Sequence, residues 1–118
     1  MTRRISSKTT VNLVNSYEET APQLYALQAE LRELAKKKPD ETLSKSKVAL
    51  INRVLSDNKE NFKDESGGKY LQLLDDEALP QFSDAVLIIA QFAAVLTEFR
   101  KLYYGWDDAI MGYGWFTR

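Results

Sequence analysis

The apolar run from Ala85 to Leu96 constrains the fold more than any other feature of this sequence. Eleven of its twelve residues are apolar, and the exception is Gln91. A helix that is apolar nearly all round belongs in a protein core or in a membrane. Asp84 and Glu98 bracket the run too closely for the roughly 20 apolar residues that span a bilayer. The pattern therefore predicts a buried central helix over residues 83–104.

Both ends of this helix carry a boundary signal. Ser83 is a suitable N-cap residue, and Gly105 is placed to adopt the left-handed conformation that often follows the last helical turn. Asp84, Gln91 and Glu98 recur every seven residues, so they form one narrow polar stripe. We expect this stripe to face solvent and the rest of the helix to face the core.

The N-terminal part of the chain predicts one or two helices. The first begins at Thr9 or Thr10. Pro22 either opens a second helix, because residues 20–23 have the form of a capping box, or kinks one long helix. Leucines then recur at steps of three and four residues, which is typical of packing between helices. These leucines are Leu24, Leu27, Leu31 and Leu34.

A further helix is predicted from about Leu43 or Ser46 to Phe62. Asp64–Gly68 follows it as a loop. Together with the central helix, these segments predict an all-α fold, a compact bundle of about four main helices. A chain of 118 residues suits one domain. We divide it into a flexible basic arm (1–8), a helical domain (9–105) and an aromatic tail (106–118).

The residue types restrict the chemistry that is available. The chain has no histidine and no cysteine, which excludes Ser-His-Asp and Cys-His nucleophiles and the His- or thiolate-based metal sites. Gly67-Gly68-Lys69 resembles the end of a phosphate-binding loop. However, Lys63 stands where that motif needs glycine, and Tyr70 where it needs Ser or Thr. We therefore expect a plain loop there, no cofactor, no metal site and no catalytic residues.

Two alternative functions use the charged residues. The first alternative is a carboxylate-based binder or enzyme for a divalent ion or a small ligand. Three adjacent carboxylates and the pair in the tail could gather such a cation, and these five residues are Asp75, Asp76, Glu77, Asp107 and Asp108. The second alternative is a weak contact with nucleic acid. Residues 1–59 carry a net charge of +4 and residues 60–118 a net charge of −5. A sequence pI near 5.5 makes nucleic acid an unlikely partner.

The aromatic tail is the predicted partner-binding site. It contains four large aromatic residues of the types that are enriched at interface hot spots. They are Trp106, Tyr113, Trp115 and Phe116. The alternative is that these residues fold back and close one end of the bundle. We expect the partner to be a protein, either another chain or a second copy. No signal peptide is visible in Met1–Thr10 and no membrane association is expected, so the predicted location is the cytoplasm.

Overall fold

The computed structural model describes residues 8–118 and shows a mostly helical chain with a small sheet. Its helices are α1 (Val11–Lys37), α2 (Lys45–Phe62) and α3 (Phe82–Tyr103). Its strands are β1 (Tyr104–Asp107) and β2 (Gly112–Trp115), which pair antiparallel. Single 3₁₀ turns occur at Gly68–Tyr70 and Asp76–Ala78. The predicted helical class is therefore confirmed, apart from the sheet. Except for Lys8, the predicted basic arm lies outside the described residues.

The predicted number of four helices is not confirmed, because α1 continues through Pro22. Thr10 caps this helix by accepting a hydrogen bond from the Leu13 N–H at 3.1 Å. Thr20 does not act as a cap, since its hydroxyl donates to the Ser16 carbonyl at 2.8 Å inside the helix. Pro22 is exposed, so water can reach the carbonyl that loses its donor.

The molecule is more elongated than the predicted compact bundle. Its principal extents are 51 × 24 × 22 Å, and its radius of gyration is 16.3 Å. A compact domain of this length has a radius near 13.5 Å, or about 2.2 × N^0.38. The length follows from α1, whose 27 residues give a rod of about 40 Å.

The central helix forms where the apolar run predicts it, one residue earlier at each end. Its N-cap is Gln81 rather than Ser83. Asp84 decides this, because its carboxylate accepts a hydrogen bond from the Gln81 N–H at 2.9 Å. Gln91 is exposed, as predicted. The exposed stripe is wider than expected, however, since Leu87 on the same side is 67% exposed.

The core lies between the buried face of α3 and the inner faces of α1 and α2. The largest side chains that are almost fully buried come from all three helices: Leu24, Leu55, Phe62, Ile89, Phe92, Leu96 and Phe99. Among residues 8–118, α3 is the one helix whose length and composition would also suit a membrane span. The core helix of a soluble protein meets the same test, and 44% of its most apolar window is buried here.

The loop after α2 is a tight turn against the end of that helix. Gly67 has φ +81°, a left-handed conformation that favours glycine. Gly68 is buried, and its N–H donates to the Glu65 carbonyl at 2.7 Å. Farther along, Asn52 of α2 holds the chain at Leu74 by a pair of hydrogen bonds. Its amide donates to the Leu74 carbonyl and accepts from the Leu74 N–H, each at 2.9 Å.

Candidate functional site

The tail that follows α3 folds into a β-hairpin. The expectation that Gly105 ends α3 in a left-handed conformation is wrong. Tyr104 at the C-cap is already extended (φ −128°, ψ 132°), and Gly105 pairs with Gly114 in the sheet. The predicted all-α fold also did not include this hairpin. The sequences YGWD and GYGW alternate aromatic residues with glycine, a period of two that is typical of strands and could have revealed the hairpin.

One face of the hairpin carries all the strand aromatics. Tyr104 is opposite Trp115, and Trp106 is opposite Tyr113. Because side chains alternate along a strand and directly opposed residues share a face, these four rings form one surface, which we call the aromatic face. The opposed rings have centroids 5.2 Å apart in the first pair and 5.6 Å apart in the second, both edge-to-face. Such pairs each contribute about 0.5–1.5 kcal/mol beyond their burial.

The inner end of the aromatic face is fixed to the helices. Trp115 packs edge-on against Tyr17 of α1 at 5.3 Å and lies 5.7 Å from Phe99 of α3. Its indole N–H donates to the Glu18 carboxylate at 3.4 Å. On α3, the Arg100 guanidinium lies 4.1 Å from the centre of the Tyr104 ring, a cation–π contact. The hairpin is therefore held by both long helices.

The segment after β2 is fixed to the start of the chain. The Phe116 N–H donates to the Tyr103 carbonyl at 2.7 Å, and the Phe116 carbonyl accepts from the Thr9 N–H at 2.9 Å. The Arg118 N–H donates to the Thr9 carbonyl, also at 2.9 Å. Thr9 and Thr117 thus form a parallel bridge. These bonds fix the base of the hairpin to the residue that precedes the N-cap of α1.

The outer end of the hairpin is exposed. It comprises Trp106, Ile110, Met111 and Tyr113, and we call these four residues the hairpin tip. Tyr113 is 68% exposed and Met111 74% exposed. The Trp106 indole is oriented by donating its N–H to the Asp108 carboxylate at 2.7 Å. Large apolar groups that are exposed together on a soluble domain mark an interaction surface.

Met111 is held in an unfavourable backbone conformation. Its φ is +52°, in the left-handed region that costs an ordinary residue roughly 1–2 kcal/mol. Glycine or asparagine would suit that position better. A large, exposed apolar side chain at such a position does not serve stability. Leu79, in the connection before α3, has the same combination of positive φ (+51°) and an exposed side chain, so the argument for a binding surface rests on the exposure of the tip residues.

The structure divides the four predicted partner-binding residues into two pairs. Trp106 and Tyr113 point outward, whereas Trp115 and Phe116 are half-buried against their own chain. Sequence reasoning missed Ile110 and Met111, which the four-residue turn brings to the tip. No family model matches the chain, and neither does a curated protein or a solved structure.

A second apolar surface lies between α1 and α2. This groove has a volume of about 400 Å³ and a mainly apolar lining, to which Gln23, Glu30, Lys47 and Arg53 also contribute. Its main lining residues are Leu27, Leu31, Leu34, Leu50, Ile51 and Val54. We call it the α1–α2 groove. Leu27 and Leu34 belong to the predicted leucine seam, and they are only partly buried. Leu50 is 55% exposed.

The acidic residues have local structural contacts. Asp107 accepts the Ala109 N–H at 3.0 Å, and Asp75 accepts the Glu77 N–H at 3.0 Å. In residues 8–118 no group of three or more potential metal ligands is placed to hold an ion. Burial raises the pKa of the Glu65 carboxyl above its usual value, which is partly offset by a hydrogen bond from Tyr103. The exposed group with a clear chemical use is therefore the hairpin tip, which is suited to binding an apolar surface.

Proposed function

We propose that this chain is a non-catalytic protein-interaction module, a small helical bundle that binds a protein partner through the hairpin tip. The observation that carries the proposal is the exposure of Trp106 and Tyr113 on the aromatic face, of Met111 in the adjoining turn, and of Ile110 over Gly114 on the opposite face. All four lie at the outer end of a hairpin whose base is fixed to both α1 and α3. Tryptophan and tyrosine supply much of the binding energy at protein interfaces. Methionine adapts its shape to irregular surfaces.

The rigidity of the Trp106 side chain also supports binding of a protein at the tip. The Trp106 indole is held by its hydrogen bond to Asp108 and by edge-to-face packing on Tyr113. A side chain that is already ordered loses less entropy on binding, where each immobilised flexible side chain costs about 0.5–1.5 kcal/mol. The tip therefore presents preorganised apolar area to a partner.

The size of the tip indicates how strong such binding is. Full burial of a large apolar side chain contributes about 1.5–3 kcal/mol, and these four are already partly buried. Covering the rest gives roughly 4–8 kcal/mol, which is similar to the lower estimates of the cost of association. The tip alone supports transient binding. Stable binding requires a pocket on the partner and complementary charge.

No observation supports cation binding or nucleic-acid binding as strongly as the exposed tip supports binding to a protein. Three of the five carboxylates that were candidates for cation binding, Asp75, Asp107 and Asp108, accept local backbone or indole N–H groups. Basic side chains near the end of α1 are interleaved with acids, as Lys36 pairs with Glu33 at 3.2 Å and Lys38 with Glu41 at 3.4 Å. A mixed-charge surface of this kind does not form the continuous basic patch that phosphate binding uses.

Site-specific photocrosslinking tests the proposal with two matched positions. A benzophenone amino acid replaces Tyr113, which is 68% exposed, or Tyr70, which is 67% exposed and lies outside the tip. In cells, we expect the probe at 113 to give a discrete adduct with a protein, either another chain or a second copy. Trp106→Ala should remove this adduct, and the probe at 70 should not produce it. Identical labelling from both positions would contradict the proposal.

A further inference from the structure

We infer that the partner of the hairpin tip is a second copy of this chain, which receives the tip in its α1–α2 groove. This inference rests on the proposed function and specifies its partner. The chain carries a convex apolar surface at the tip and a concave apolar surface in the groove. Exposed apolar surfaces of this kind are unusual on a small domain. The convex tip can fill the concave groove, and the groove can cover the apolar side chains of the tip.

The groove has the size and the lining of an apolar binding pocket. Its volume of about 400 Å³ lies within the range of pockets that enclose small ligands, about 300–1,000 Å³. Leu31 and Ile51 are buried beneath it, while Leu50 is open to solvent at its edge. The side chains of Ile110 and Met111 are the most prominent apolar groups at the turn of the hairpin. They are the expected occupants.

One molecule cannot place its own tip in its own groove. Phe82, the first residue of α3, lines the groove, and the hairpin begins at Tyr104, directly after the last residue of α3. A helix of 22 residues is about 33 Å long. The two surfaces therefore lie at opposite ends of α3, and the contact can form only between molecules.

The charges around the two surfaces are complementary. Lys47 and Arg53 of α2 border the groove together with one carboxylate, Glu30 of α1, so the charged rim is net positive. Asp107 and Asp108 adjoin the apolar tip. In the described part of the chain, none of these five residues forms an ion pair with another side chain. Docking the tip brings the acidic turn to the basic wall. Such complementarity steers association and selects the partner.

The same charges disfavour the symmetric arrangements. A tip-to-tip contact brings the aspartates of two copies together, and a groove-to-groove contact brings two rims of net positive charge together. A contact between the tip of one copy and the groove of another avoids both.

Two exposed substitutions test the contact without disturbing the core. Leu50→Glu places a charge at the edge of the groove. Met111→Asp places a charge at the tip, at a left-handed position that aspartate tolerates. The chain mass is 13.5 kDa. We expect light scattering to show a larger mass for the unaltered protein as its concentration rises. Each variant should associate at least about tenfold more weakly, because a carboxylate is costly to bury in an apolar contact.

Mixing the two variants distinguishes the proposed contact from the symmetric ones. The Leu50→Glu chain keeps its tip, and the Met111→Asp chain keeps its groove. An equimolar mixture should therefore form a complex of twice the chain mass and nothing larger. Leu87→Glu is the control, since Leu87 is exposed on α3 outside both surfaces. It should associate as the unaltered protein does.

Three results would overturn the inference. The first is an equimolar mixture of Leu50→Glu and Met111→Asp that stays monomeric. The second is a Leu87→Glu control that associates as weakly as those two variants. The third is an unaltered protein that keeps the monomer mass up to about millimolar concentration. In the last case, a crosslink from position 113 to a different protein would preserve the proposed function. No crosslink from position 113 to any protein would remove both.

Discussion

Replacing Gly68 with alanine is expected to destabilise the protein strongly, although an alanine would not conflict with the backbone torsions of Gly68. The chain passes directly over the end of α2 at this residue. An added Cβ would lie 2.0 Å from the Phe62 carbonyl oxygen and 2.6 Å from the Lys63 carbonyl oxygen. Both neighbours are backbone atoms at a helix end, so neither can rotate away. The turn must move instead.

The size of the effect follows from that displacement. Forcing an extra methyl into a packed site costs about 1–3 kcal/mol. Moving the turn also weakens the 2.7 Å hydrogen bond from the Gly68 N–H to the Glu65 carbonyl, and a typical bond of this kind contributes about 0.5–1.5 kcal/mol. We expect a loss of roughly 2–4 kcal/mol in the free energy of unfolding. For a domain of this size, that lowers Tm by on the order of 10 °C or more.

Thermal and urea unfolding, followed by circular dichroism, measure this loss against two controls. Gly67→Ala introduces a residue at φ +81°, where the cost is about 1–2 kcal/mol. Gly105→Ala lies in an extended strand, and its Cβ would be 3.5 Å from the Phe116 ring, an ordinary contact. The expected order of damage is Gly68, then Gly67, then Gly105. A Gly68→Ala protein as stable as Gly105→Ala would refute the steric reasoning.

Three further predictions concern the core, the loop and the response to pH. Phe92→Ala should cost about 3–5 kcal/mol because the ring is buried in the core, and a near-neutral result in urea unfolding would show that the core lies elsewhere. Asn52→Asp should cost about 1–3 kcal/mol at pH 7, since its carboxylate cannot donate to the Leu74 carbonyl; stability unchanged from the parent would count against this contact. Burial raises the pKa of Glu65 in the folded state, so the stability that this carboxyl contributes is present below its unfolded pKa and lost as pH rises through the folded pKa. Glu65→Gln should therefore have a higher Tm than the parent at pH 7 and an equal Tm near pH 4 and below, and a lower Tm at pH 7 would reverse the sign of the argument.

The helices were predictable because their signals are local. The apolar run placed α3 to within one residue at each end, and Thr10 was one of two residues expected to cap α1. The hairpin was missed because its strands are short and contain glycine, which weakens strand propensity. Its stability comes from distant contacts. The Trp115 indole reaches Glu18, which is 97 positions away in the sequence.

The amino-acid sequence by itself determined that α3 lies in the core and that the chemistry of histidine and cysteine is unavailable. Hydrophobicity and functional groups are properties of the residues and do not depend on the fold. It also placed a concentration of aromatic residues after α3. Only the tertiary structure decided which of those residues meet solvent. Strand register puts four rings on one face, and docking on Tyr17 and Phe99 buries the inner end of that face. Trp106 and Tyr113 remain exposed because none of the helices in residues 8–118 covers the outer end of the hairpin.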